Sequence, residues 1–358
     1  MTQLADKAGK IREGEQLNLT SLLPWLHAQL PDLPLSGEPQ VMQYSGGASN
    51  WTYLLQYPEI ELILRRAPAG TKAKGAHDMA REFKLQQALK PFFPLVPDVL
   101  ALCSDNEVIG SEFYVMQKLT GIIPRRNFPR GLELSEQQSA QLCKNALDTL
   151  IELHKVKIED SPLAELGKGE GYIQRQIDGW CQRYTNARSW NVPSGKKIMR
   201  WLHANMPADE HICLIHNDFR LDNLVLDVEN PTSVIGVLDW ELATLGDPRM
   251  DLGCALAYWV EQGDDPLAQS TRRQPSHVPG MFTRRELIEY YCQQMGFSSQ
   301  NFVFYEVYGL FRLAGIAQQI YYRYHHKQTR NPAFKHFWLY VHYLMWRCAK
   351  LIKASKTR

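Results

Sequence analysis

The residues best suited by type and spacing to do chemistry lie in one stretch, His216-Asn-Asp-Phe-Arg-Leu-Asp-Asn223, with a further acid, Asp239, beyond it. His216, Asp218 and Asn223 share a short loop. Two apolar runs, around residues 224–226 and 234–238, read as a hairpin-like pair that delivers Asp239 at the end of a strand. A carboxylate can orient an attacking hydroxyl and accept its proton. An amide oxygen and a second carboxylate can hold Mg²⁺, which takes few protein ligands beside phosphate oxygens. That set is what phosphoryl transfer asks of a protein, since the reaction needs positioning and charge stabilisation more than covalent help. The competing reading makes Asp218, Asp222 and Asn223 plain turn formers. It weakens because apolar runs flank the loop and Asp239 follows at a suitable remove.

The rest of the 358-residue chain must position this loop. The length fits one large or two medium domains. Composition is that of an ordinary soluble globular protein. A formal net charge of +2 gives no sign of nucleic acid or an acidic membrane surface as partner. Seven scattered cysteines, with no C-x-x-C pair, fit a reducing cytosol and buried thiols. Residues 1–16 are polar, without an apolar signal core, and are expected to fray. No run approaches the roughly 20 apolar residues of a spanning helix. The expectation is a cytoplasmic protein with no membrane partner.

Residues 17–30 carry a helical stripe of leucines closed by Pro31. About five strands follow, at 41–44, 51–57, 61–65, 99–103 and 113–117, with a helix at 76–90 and a turn at 104–107. After residue 118 the pattern turns helical. Ser135 caps a helix to 155, and helices are expected at 171–188, 193–205 and 249–261. A polar connector spans 262–280; Thr283-Arg-Arg-Glu286 has capping-box spacing and opens the next helix. Helices near 300–326 and 332–353 end the chain. The predicted class is α+β, with a small sheet-rich lobe (1–118) and a larger helical lobe (119–358). Phe302, Tyr305, Tyr308 and Phe311 form a stripe expected in the core, some of it able to line an acceptor pocket.

Between the first two strands lies Ser45-Gly-Gly-Ala-Ser-Asn50. Glycines let backbone N–H groups approach phosphate oxygens, although Gly-Gly alone also reads as a hairpin turn.

The stretch at 215–224, with Gly236-Val-Leu-Asp-Trp-Glu241 and Leu245-Gly-Asp-Pro-Arg-Met-Asp-Leu-Gly253, resembles the catalytic segments of protein-kinase-like enzymes. It is more similar still to the aminoglycoside phosphotransferase and choline kinase group. The nearest resemblance is to phosphotransferase domains associated with acyl-CoA dehydrogenases, carried also by segments at 45–55, 64–68, 283–287 and 310–316. It implies a protein-kinase-like two-lobe fold, ATP and Mg²⁺ as cofactors, a small-molecule alcohol as acceptor, and a functional link to an acyl-CoA dehydrogenase. In this resemblance Asp218 is the base or orienting acid, with Arg220 near the transferred phosphate; a salt bridge from Arg220 to Asp222 is the alternative. Asn223 and Asp239 would hold the metal. Ser45, Gly46, Gly47, Ser49 and Asn50 would cradle phosphate. Arg65, or Arg66 in a register shifted by one, would meet phosphates and pair with Glu82. Met116, Gln117, Lys118 and Leu119 would form the adenine hinge. His216 and Asp251 would brace the loop, and Glu241 would assist Asp239. Asn217 departs from the usual Gly of such loops; Asn tolerates the same backbone angles. For the acceptor, Arg272, Arg273, Arg284 and Arg285 outweigh Asp264 and Asp265 and favour an anion over a polycation. A hydroxyacyl-CoA fits that bias; an aminoglycoside, choline, a sugar, or a silent nucleotide-binding module are the rivals.

Overall fold

The computed structural model describes residues 4–44, 50–68, 78–159 and 161–356. Ser45, Gly46, Gly47 and Ser49 therefore lie outside the described residues. In chain order the elements are α1 (Leu19–Gln29), β1 (Gln40–Gln43), β2 (Trp51–Gln56), β3 (Glu61–Arg66), α2 (Met79–Leu89), β4 (Val99–Cys103), α3 (Asn106–Ile109) and β5 (Phe113–Gln117). There follow α4 (Glu136–His154), α5 (Tyr172–Asn186), α6 (Lys196–Ala204), β6 (Cys213–Ile215), β7 (Leu224–Leu226), β8 (Val234–Val237), β9 (Thr244–Gly246) and α7 (Pro248–Ala257). The last four are α8 (Pro266–Thr271), α9 (Arg284–Met295), α10 (Val303–His325) and α11 (Phe337–Ser355).

The first five strands form one antiparallel sheet in the order β1-β2-β3-β5-β4. Strand side chains alternate between faces. Tyr53, Leu55, Leu62, Leu64, Phe113 and Val115 pack against Leu22 and Leu26 of α1. Leu54, Ile63, Tyr114 and Met116 pack against Met79 and Phe83 of α2. The same alternation puts Arg65 on the α2 face with Ile63, and Arg66 on the other, where its guanidinium lies 5.3 Å from the Trp51 ring centroid. One-residue register thus decides between the two arginines.

Everything after β5 builds a much larger helical core, and Leu85, Leu89, Phe93 and Val96 from the α2 region join it. Two small sheets lie within it, β6 with β9 and β7 with β8. The segment after β5 is tied to the second, since Ile122 and Leu226 exchange backbone hydrogen bonds at 2.8 Å. Helices α7 and α10 cross at two glycines. A Cβ at Gly309 would sit 1.9 Å from the Gly253 carbonyl oxygen, and one at Gly253 2.3 Å from that of Tyr305. Only glycine lets the backbones approach so closely.

Three local expectations change. Residues 4–16 are anchored rather than frayed: Gly9 exchanges backbone bonds with Gln43, Asp6 N–H donates to Gly121, and Glu15 accepts from Gln43 and, through its carbonyl, from Tyr53. Their polarity hid this because the partners, on β1, β2 and at Gly121, lie far along the chain. The expected turn after β4 winds into α3, capped by Asp105 and stopped by Gly110 at φ +82°. The polar connector contains α8, which Asp265 caps and Pro266 starts. Both predicted capping boxes are present, Ser135 with Gln138 and Thr283 with Glu286. All seven cysteines are unpaired and six are buried. Among the described residues no helix is long and apolar enough to cross a membrane.

Candidate active site

The loop after β6 is held by one buried acid. Asp251, in the first turn of α7, accepts the backbone N–H of His216 at 2.7 Å and of Asn217 at 2.8 Å. Its Oδ2 also lies 3.1 Å from His154 Nε2, and His154 Nδ1 meets the Tyr291 hydroxyl at 2.6 Å. Burial works against ionisation of Asp251, but the His154 bond and these backbone donors outweigh it and hold its carboxyl below the usual range. His216 in turn bridges to the Leu238 carbonyl at 3.0 Å and accepts Asp218 N–H at 3.3 Å. It thus fastens the loop to the segment bearing Asp239.

Asn217 has φ +65°, the left-handed conformation that its position demands. Its side chain does more than tolerate that angle. The amide donates to Leu242 O at 3.0 Å and accepts from Tyr172 Oη at 3.3 Å. Asn217→Gly should therefore lose about 1 kcal/mol of stability through the missing bonds. Asn217→Ala should lose about 1 kcal/mol more, because a Cβ is disfavoured in this region. Urea unfolding measures the order; a Gly variant as stable as the parent would show the side-chain bonds idle.

Asp218 and Asn223 are brought together. Asn223 Nδ2 donates to the Asp218 carbonyl at 2.8 Å and to its carboxylate at 3.2 Å. Arg220 makes the salt bridge to Asp222 and also stands beside Asp218. It forks onto Asp222 through Nε at 2.8 Å and Nη2 at 3.2 Å, while Nη1 lies 3.3 Å from Asp218. Its guanidinium also covers the Tyr258 ring at 4.7 Å. Burial would weaken the Arg220 cation, but the Asp218 and Asp222 charges raise its pKa. Leu221 N–H donates to Gln274 Oε1 at 2.8 Å, so the connector braces the loop from outside.

The sheet contributes Arg65, whose guanidinium lies 2.8 Å from Asp239 Oδ1 and 3.2 Å from Glu82 Oε1. Tyr114 donates to Glu82 at 3.0 Å and is itself bonded by Gln86. Burial raises the Glu82 pKa despite Arg65. For Asp239, burial is outweighed by the Arg65 charge, and its carboxyl is held low. Asp239 sits at φ +70°, directly after the β8 segment. Asn50 donates to Glu241 at 2.8 Å. Arg81 Nη1 reaches the Glu241 carbonyl at 3.2 Å and Nη2 the Ala243 carbonyl, closing α2 onto the same turn. Of the predicted hinge, Met116 is buried in β5, Gln117 N–H donates to Asp98 O at 2.8 Å, Lys118 pairs with Glu61, and Leu119 packs against Gly236.

The donor chemistry fits the expected ligands. Asn223 uses its amide nitrogen toward Asp218, which leaves the oxygen for a cation, and Asp239 meets Arg65 through Oδ1, which leaves Oδ2. Among the described residues no group of three or more His, Cys, Asp or Glu could hold a metal alone. A cation here would draw its other ligands from phosphate, as Mg²⁺ does. Among the described residues Arg65 Nε is buried without a hydrogen-bond partner, a donor that a phosphate oxygen would satisfy.

Residues 40–289 match the model of a phosphotransferase enzyme family. The chain belongs to that family. A solved structure from Ralstonia eutropha, named as a candidate aminoglycoside phosphotransferase, superposes with TM-score 0.77 at 26% identity, covering 95% of this chain and 99% of that one. The hygromycin-bound aminoglycoside phosphotransferase APH(4)-Ia, solved with AMP-PNP, shares the fold at TM-score 0.58 and 14% identity over 93% of this chain and 98% of that one. Human acyl-CoA dehydrogenase family member 11 is 38% identical over 288 residues, 79% of this chain and 36% of that protein. The chain spans well under half the length of the curated relatives it matches. The kinase-like two-lobe fold and the phosphotransferase family expected from the sequence both hold.

Sequence reasoning within this phosphotransferase framework did not find His154, Tyr291, Tyr172, Arg81 or Gln274. Their contacts join elements 30 or more residues apart and carry no local spacing signal. The basic bias of the connector is reduced by half. Arg284 is paired with Asp264 and Glu261, and Arg285 with Glu289, whereas Arg272 and Arg273 take part in no ion pair among the described residues.

Proposed function

We propose that the protein transfers the γ-phosphoryl group of ATP to the hydroxyl of a small molecule. The observation that carries this reading is the meeting of Arg65 from β3 and Glu82 from α2 with Asp239 beside the Asp218–Asn223 loop. The nucleotide would lie between the sheet lobe, up to residue 118, and the helical lobe from 119. Asp218 orients the acceptor hydroxyl and receives its proton. Arg220, fixed by Asp222, stands beside Asp218, a position that supports a role for its charge at the transferred phosphate. Arg65, Asn50 and the loop of Ser45, Gly46, Gly47 and Ser49 serve the phosphates, and Met116, Gln117, Lys118 and Leu119 serve the adenine. Asn223 and Asp239 would hold Mg²⁺, which neutralises charge on the transferred group when bound.

For the acceptor we favour a hydroxyacyl-CoA. The support is the relative named as an acyl-CoA dehydrogenase family member, matched over most of this chain, which also motivates a functional link to such a dehydrogenase. The test is to incubate the full chain with Mg-ATP and, separately, 3-hydroxybutyryl-CoA, choline and kanamycin, and to follow ADP formation. The expected result is turnover with the acyl-CoA alone. Turnover of choline or kanamycin instead would replace the acceptor, and Mg-ADP binding without any turnover would make the site a silent nucleotide module.

A further inference from the structure

A second cluster of cations lies behind the catalytic loop, and no part of the mechanism uses it. Arg312 of α10 is only 6% exposed. Arg183 of α5 lies at the rim. Both face one ring, with the Trp180 centroid 4.1 Å from the Arg183 guanidinium and 5.6 Å from that of Arg312. Neither arginine takes part in any ion pair among the described residues, whereas Arg65, Arg220, Arg249 and Arg284 all do. Of the groups whose charge bears on Arg312, Cys254 comes first and is bonded to it through its thiol, Tyr308 and Tyr258 follow, and Asp218 is the carboxylate.

Two further donors point the same way. The Tyr308 hydroxyl and the Trp180 Nε1 are buried and have no hydrogen-bond partner among the described residues. Buried Tyr and Trp polar groups ordinarily find one. A buried guanidinium without a counter-charge is costly, and a ring face offsets only part of that cost. Around the Trp180 ring, therefore, two neutral donors lack an acceptor and two guanidinium groups, Arg312 buried and Arg183 exposed, lack an ion-pair partner among the described residues. An anionic oxygen group supplies what all four lack, and the guanidinium fork suits carboxylate and phosphate alike.

We propose that Arg183 and Arg312, with Tyr308 and Trp180, bind an anionic oxygen group of the acceptor, so that the phosphorylated alcohol carries a carboxylate or phosphate. This deepens the phosphotransferase reading of Asp218 and rests on it. A polycationic aminoglycoside or a choline would meet like charge there.

The test is calorimetric titration of the full chain with 3-hydroxybutyrate, 3-hydroxybutyryl-CoA and choline, in the parent and in Arg183→Gln and Arg312→Lys. The parent should bind one or both anionic alcohols, and choline not at all. Binding of the free acid identifies a carboxylate subsite; binding of the CoA ester alone identifies its phosphates. Each substitution should raise the Kd of the anionic alcohol by about tenfold or more, while the Kd of Mg-ADP stays within about twofold. If Arg312→Lys fails to fold, the rim variant Arg183→Gln carries the test. Equal anion affinity in parent and variants, or choline bound as tightly as the anions, overturns the proposal. Arginine-dependent binding without phosphoryl transfer would remove the phosphotransferase reading and keep the pocket. Transfer to 3-hydroxybutyryl-CoA with unchanged KM in both variants would do the opposite.

Discussion

Asp218→Asn is expected to lower kcat by about 10²–10⁴-fold, the range ascribed to a positioned proton acceptor. The replacement keeps shape, and its carbonyl oxygen can still accept from Asn223 Nδ2. Arg220 also stays in place, because its fork is held by Asp222 rather than by Asp218. What the variant loses is the negative charge that draws the hydroxyl proton. Mg-ADP affinity should change by no more than about twofold, since Asp218 is not among the groups assigned to nucleotide or metal. The pairing of these two readouts matters. Turnover retained at parental rates would remove Asp218 from the reaction, and a matching loss of nucleotide affinity would show instead that the loop had collapsed.

Asp251→Ala should cost about 3–5 kcal/mol of stability, the scale for removing one partner of a buried charged network. Three donors converge on this one carboxylate: the backbone N–H groups of His216 and Asn217, and the His154 ring. All would be left buried and unsatisfied at a position with no access to water, since Asp251 is wholly buried. Asp251→Asn should lose less, because its amide oxygen still accepts one of them. Urea denaturation of the three proteins gives the ranking. The pH dependence follows from the low carboxyl pKa in the folded protein. The stabilisation is fully present above the unfolded carboxyl value of about 4 and is lost as pH falls through the lower folded value. The parent should therefore lose more stability on acidification in that window than Asp251→Ala. Equal pH profiles for the two would show that Asp251 contributes no such linkage.

The parts of the molecule legible in the sequence are those written in local pattern. The five sheet strands, α2 and the two capping boxes follow from periodicity and cap chemistry, and the structure places them within a few residues of expectation. The catalytic loop was visible because Asp218 and Asn223 sit on one short segment. The choice of Arg65 over Arg66 needed one more fact, the side of the sheet that α2 covers, which alternation alone leaves open. The brace behind the loop was not legible in full. Asp251 could be named, but His154 and Tyr291 reach it from α4 and α9, and nothing in their own sequence neighbourhoods marks them. The connector arginines misled for a related reason. Composition counts charges without showing which are already neutralised, and Arg284 and Arg285 are. The unpaired cations, Arg183 and Arg312, lie on helices that read simply as core.

The glycine crossing of α7 and α10 has a bearing on how acceptors can be exchanged. α7 carries the acid that grips the catalytic loop, and α10 carries Tyr308 and Arg312. Where Gly253 meets Gly309 there is no side chain to repack between the backbones, so the helices cannot slide without a direct clash. The crossing behaves as a fixed ruler between Asp218 and the far wall of the proposed acceptor site. Acceptors of different length would then be accommodated by lengthening or trimming side chains along α10 or α5. The distance from the reacting hydroxyl to its anchoring group is thereby a property of the backbone, while the kind of anchor is left open to substitution.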